Sequence, residues 1–117
     1  MTITQALDTI DSLKSNSFSR REKILWLSRV EGYLHTVMPG CPPFAGYTED
    51  TDPETVLLAE HPWDELYLRY LEMQMDYCNG EMTRYNNAAS LYNALLSHYR
   101  NHLTRTAAPQ SGGWQYR

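Results

Sequence analysis

With only two cysteines, Cys41 and Cys78, the chain cannot build a framework of disulfides, and two reduced thiols in a cytoplasmic setting are expected instead. No apolar run approaches the ~18 residues of a spanning helix, and no charged-then-apolar leader opens the chain, so neither a membrane span nor export is expected. Positive charge is also short: ten Lys and Arg against fourteen Asp and Glu leave a formal charge of -4. That argues against a surface built to neutralise many phosphates. A glycine-rich phosphate loop, a nucleophile elbow and a serine-histidine-acid set are all missing, and an enzyme is not expected. Phenylalanine is rare as well, two residues against nine tyrosines and three tryptophans. Amphipathic aromatics of that kind suit half-buried surfaces and interfaces better than a dry core. At 117 residues the chain is long enough for one domain with a modest core.

Proline is absent from Trp63 to Arg105, and in that stretch apolar side chains recur at the spacing of a helix face. From Cys78 the steps alternate four and three through Met82, Tyr85, Ala89, Tyr92, Leu96, Tyr99 and Leu103, the a/d seam of a heptad pattern. Such a seam wants a partner surface. Upstream, Trp63, Tyr67, Tyr70, Leu71 and Met75 form a wider apolar stripe, and Glu65 precedes Arg69 in the favoured acid-first order. The interruption is Asn79-Gly80. One unbroken helix would run ~65 Å at 1.5 Å per residue, far beyond the ~13 Å radius of gyration of a compact domain of this size. A kink or short turn at Asn79-Gly80 is therefore favoured, although the heptad phase is preserved across it and permits one continuous helix.

Two capping boxes start two further helices. Thr2 with Gln5 opens one that runs to about Lys14, and Ser19 with Glu22 opens one from about Arg20 to Met38, stopped by Pro39-Gly40. The segment 39-52, rich in proline and glycine with an acidic cluster, is a loop of unusual length. Asp52 is placed to cap a turn begun by Pro53, Thr55 to Ala59 is either helical or extended, and Pro62 suits the first turn of the long stretch. The predicted architecture is all-α, three to four helices in a single domain over 1-106, followed by a flexible C-terminal tail over 107-117.

Candidate chemistry is sparse. His98 and His102 stand four apart, a spacing at which two imidazoles share a metal, but no third ligand or intervening glutamate accompanies them. Cys41, His35 and His61 show no ligand spacing, and Cys78 reads as a small core residue. No catalytic, cofactor-binding or metal residue is assigned. Asn86-Asn87, beside the seam residue Tyr85, fits either exposure or hydrogen bonding across a helix or subunit contact, and Tyr85, Asn86, Asn87, Tyr92 and Tyr99 are the candidate interface residues. In the tail, Trp114, Tyr116 and Arg117 are side-chain types enriched at binding hot spots.

Several segments carry a resemblance. Phe44-Ala45-Gly46-Tyr47, Thr51-Asp52, Asp64-Glu65-Leu66-Tyr67, Tyr70-Leu71-Glu72, Asn79-Gly80-Glu81, Arg84-Tyr85-Asn86-Asn87 and Tyr92-Asn93, in that order, resemble the head-tail connector (adaptor, head-completion) proteins of tailed phages and prophages. The resemblance covers about Ser17 to Arg105. It departs at Cys78, where another aromatic would be expected, and in a tail that is glycine-rich rather than strongly basic. The resemblance implies a non-enzymatic helical virion protein without a cofactor, assembled in the host cytoplasm and resident in the virion neck. It implies a ring beneath the portal protein that extends the DNA channel, touches passing DNA without reading its sequence, and offers a docking surface to a neck or tail-completion protein. On that reading Trp114, Tyr116 and Arg117 are candidate portal anchors, and Glu65, Glu72 and Asp76 candidate channel-facing acids. The alternative is a non-viral helical interaction module acting through the coiled-coil-like seam.

Overall fold

The computed structural model describes residues 1-107, and over them the chain is all-helical: α1 Ile3–Leu13, α2 Arg20–Val37, α3 Glu65–Cys78 and α4 Met82–Ala107. Both capping boxes form as the spacing predicts. Thr2 Oγ1 accepts from the Gln5 N–H at 3.1 Å while Gln5 Oε1 accepts from the Thr2 N–H at 2.8 Å. Ser19 and Glu22 exchange the same pair of bonds at 3.1 and 3.0 Å. Each box satisfies amides that the start of a helix leaves without partners.

The segment between α2 and α3 is long but tied down. Asp52 caps its turn, accepting from the Glu54 N–H at 2.9 Å through Oδ1 and from the Thr55 N–H at 3.0 Å through its carbonyl. Residues 55-57 then run extended along the N-terminus, with Thr2 and Val56 in an isolated antiparallel bridge. This decides between the helical and extended alternatives for Thr55 to Ala59. The carbonyls of Thr55 and Pro53 accept from the Ile3 and Thr4 amides at 3.1 and 3.0 Å. The loop therefore satisfies the orphan donors of α1 that its capping box does not reach.

Pro62 does not enter α3. Residues 60-64 form a separate turn, with the Trp63 and Asp64 amides both donating to the Glu60 carbonyl, and α3 starts three residues later than the proline pattern suggests. That turn delivers the Trp63 ring to α4, 5.4 Å from Tyr99 and 5.1 Å from His102.

At Asn79-Gly80 the chain turns. Gly80 takes φ 71°, its amide donates to the Tyr77 carbonyl at 3.1 Å, and the Glu81 amide donates to the Asp76 carbonyl at 3.0 Å. This is the Schellman ending, which needs a left-handed residue that glycine adopts without a Cβ penalty. α3 and α4 thus form an antiparallel hairpin, and α4 packs chiefly on α3. α3 also meets α1 and α2, so it is the central helix, with Leu66, Tyr67, Leu71 and Met75 fully buried.

Two sequence expectations fail at this point. Cys78, expected in the core, is exposed, because the hairpin turn places it at the tip where no helix lies opposite. Asp76, expected to face a channel, is 2% exposed and lies 2.7 Å from the Lys14 ammonium. The approach is off the line of an ideal hydrogen bond, so the contact is an ion pair that compensates a buried charge.

Candidate functional site

The heptad seam does find a partner surface, in the same chain. Trp63 faces Tyr99 at 5.4 Å, Tyr70 faces Tyr92 at 5.4 Å and Tyr77 faces Tyr85 at 5.5 Å between ring centroids. On each side the rings stand seven residues apart, two helical turns along α4 and from Tyr70 to Tyr77 on α3, with Trp63 supplied by the turn before α3, and the order runs antiparallel. The ladder fixes the register of the hairpin, since a slip by one turn would unpair every rung. Tyr92 and Tyr99 are buried, and burial pushes both phenols up to about 12. The Tyr99 hydroxyl is buried without a hydrogen-bond partner.

Of the candidate interface residues, then, Tyr85, Tyr92 and Tyr99 lie between helices of one molecule. Asn86 and Asn87 are both exposed on the outer side of α4. His98 is exposed, and His102 lies tilted on the Trp63 ring. Among the described residues no group of three His, Cys, Asp or Glu side chains comes together. Glu65 and Glu72 flank Arg69 at 3.1 and 3.3 Å on the surface of α3. Trp114, Tyr116 and Arg117 lie outside the described residues.

A second constellation escaped the sequence reading. Glu31 of α2 is 1% exposed and receives three hydrogen bonds. Tyr67 Oη donates to its Oε1 at 2.6 Å, while Tyr47 Oη and the Leu58 amide each donate to Oε2 at 2.8 Å. Tyr67 Oη in turn accepts from the Ala59 amide at 2.8 Å. One carboxylate thereby ties α2, both halves of the long loop, and α3 together. Burial, followed by the carboxylate, raises the Tyr67 and Tyr47 phenols well above the usual tyrosine range, so both stay protonated donors. The sequence did hold a signal: Glu31 stands four after Leu27 and three before Leu34, inside the apolar stripe of α2, where a charge must be paired.

The fold also gathers Cys41 and His35, which the sequence separates by a proline-containing turn. Cys41 Sγ lies 3.1 Å from His35 Nδ1, and the same nitrogen is 3.0 Å from the Pro42 carbonyl. Phe44 stacks on the imidazole at 4.9 Å and lies against Gly32, where a Cβ would meet it at 3.4 Å. Thiol and imidazole at this distance are the first two members of a nucleophilic set. The Nδ1 that meets the sulfur is shared with the Pro42 carbonyl, and among the described residues no acid binds the ring's other nitrogen, so the pair reads as part of the loop's packing.

Charge is distributed unevenly. Residues 49-81 carry ten Asp and Glu and a single Arg69, whereas α4 carries no acid and three arginines, Arg84, Arg100 and Arg105. Comparison with known protein families, with curated proteins and with solved structures finds no match.

Proposed function

We propose that this chain is a head-tail connector subunit of a tailed phage or prophage. On this reading it assembles as a ring beneath the portal, extends the DNA channel and presents a docking surface to a neck or tail-completion protein. The observation that carries the reading is the ordered set of segments, from Phe44 to Asn93, that resembles that family. A structural feature supports it: α4 is packed on one side only, which leaves a long helix face for other chains. The rival module acting through the seam loses its surface, because Tyr92 and Tyr99 are already covered by α3 and Trp63. Glu65 and Glu72 remain candidates for the channel wall, where acids repel phosphates spaced one per ~1.7 Å of duplex and let DNA slide. Asp76, buried against Lys14, is not among them.

The working place of such a protein is the virion neck, reached after assembly in the host cytoplasm. The test is electron microscopy of the purified chain mixed with the portal protein of the same phage or prophage. Added ring density beneath the portal is the expected result, and bare portals at saturating chain would sink the proposal. Deleting residues 110-117 should leave the helical circular dichroism intact and abolish portal binding, through loss of Trp114, Tyr116 and Arg117.

A further inference from the structure

Among the described residues no other helix covers the outer face of α4. Arg84, Asn87, Leu91, Ala94, His98, Asn101 and Arg105 recur at alternating steps of three and four, so they form one straight stripe, and every one of them is exposed. Leu91, 51% exposed, and Ala94 make a small apolar centre on a helix that carries no acid; Arg84 at the first turn pairs with Glu81 at 2.9 Å, and Arg105 stands at the last turn.

Elsewhere the molecule carries the complement. Between the first turns of α2 and residues 47-50 lies an open groove of about 530 Å³, lined by Arg21, Ile24, Leu25, Tyr47, Glu49 and Asp50 among others. Leu25, 49% exposed, is the open apolar side chain of its lining, and Glu49 and Asp50 line it exposed, with Asp52 and Glu54 following on the same loop. Arg21 is the basic exception, 3.9 Å from Glu49. Groove and stripe do not meet within one copy. Ser28, which holds this loop by accepting from the Tyr47 amide, and Tyr33, which accepts from Arg100 of α4, point about 140° apart around α2 at 3.6 residues per turn.

We propose that the α4 stripe of one copy docks into the α2/47-50 groove of the next, with Leu91 against Leu25 and the acid-free helix running past the acidic loop, so that Arg105, ~21 Å along the axis at 1.5 Å per residue, meets the acids that follow at Asp52 and Glu54. The contact joins two different faces, so it is heterologous and propagates from copy to copy as a ring requires. The inference rests on the connector reading and specifies which surfaces meet. An apolar centre inside a charged rim is the usual anatomy of a specific helix-in-groove contact.

Two full-length variants test it, both changed only at exposed positions: Leu91→Glu/Ala94→Glu/Arg105→Glu on α4, and Leu25→Lys/Glu49→Lys/Asp50→Lys at the groove. Sedimentation velocity across a concentration series at low ionic strength should show the wild type self-associating and dispersing as salt shortens the range of charge interactions. Each variant alone should associate at least tenfold more weakly, with unchanged helical circular dichroism. An equimolar mixture should regain association, because the acidic stripe of one fits the basic groove of the other. Wild-type association that both variants retain would overturn the surface assignment and leave the ring reading standing, as would a wild type that is monomeric in solution yet decorates portals. Failure to decorate portals strikes the ring reading itself. A labelled DNA duplex bound by wild type, lost with the α4 variant and unaccompanied by self-association, would make the stripe a nucleic-acid face and overturn the proposal.

Discussion

The two sides of α3 are held by different physics. Toward α2 and the long loop, the arrangement depends on one carboxylate with three donors drawn from segments far apart in sequence. Toward α4 it depends on three ring pairs, each repeating the same contact two turns further along. A polar hub is specific and unforgiving, because losing one member leaves another buried without a partner. A ladder of rings is graded. Each rung adds roughly 0.5–1.5 kcal/mol beyond the area it buries, and the hydroxyls contribute little to it. The loop side therefore defines a single conformation for a segment with no helical propensity of its own, and the hairpin side supplies register and bulk.

Replacing the hub should have the largest effect. Glu31→Leu orphans three donors at once and should cost roughly 3–5 kcal/mol, a large share of the ~5–15 kcal/mol typical of a domain. Thermal denaturation would measure the loss, and proteolysis should open first within 39-64. A cost below about 1 kcal/mol would move the weight of the loop onto Phe44 and the α1 amides. On the other side, Tyr92→Ala should cost about 3 kcal/mol by removing a buried ring, with the hairpin loosened and the loop protected as before.

Hydroxyl deletions sharpen the contrast. Tyr67→Phe keeps the ring but removes a donor to Glu31 and an acceptor for the Ala59 amide, and should cost roughly 2 kcal/mol. Tyr92→Phe should stay within about 0.5 kcal/mol, and Tyr99→Phe should be neutral or stabilising, since that hydroxyl is buried without a partner. Equal losses for Tyr67→Phe and Tyr99→Phe in parallel melts would erase the distinction between the two sides.

Alkali probes both sides together. The buried phenols have raised values in the folded chain, so their contribution is fully present below the unfolded tyrosine value of about 10 and is lost as pH rises through the folded values, about 12 for Tyr92 and Tyr99. Stability should be insensitive to these groups up to about pH 10 and fall steeply from there, followed by tyrosinate absorbance and circular dichroism in step. The smallest effect is expected at Asn86 and Asn87. Both are exposed on a helix, and alanine at either should add a few tenths of a kcal/mol.

Local rules carried the reading as far as they reach. Thr2 with Gln5, Ser19 with Glu22, and the Asp52 turn are interactions within three residues, and each forms as its spacing implies. The break at Asn79-Gly80 follows from one left-handed residue and the length limit of a compact domain. What the residues alone did not reveal was which surface would cover the seam, because heptad spacing specifies a stripe and says nothing about the owner of the facing stripe. Placement of the charges was equally out of reach. Glu65, Glu72 and Asp76 repeat on one helix and read alike, yet Asp76 falls where α1 ends and Lys14 reaches it.

The starts of α1 and α2 with their capping boxes, the Asp52 turn and the glycine turn at Asn79-Gly80 were thus determined by the amino-acid sequence itself, since each depends on neighbours a few residues away, whereas the start of α3 was not. The Glu31 hub, the Cys41 and His35 contact, the internal partner of the aromatic seam and the exposed stripe on α4 were decided by tertiary structure. All of these depend on segments brought together from across the chain, and only the packing of α3 between its neighbours determines which of them meet and which face is left open.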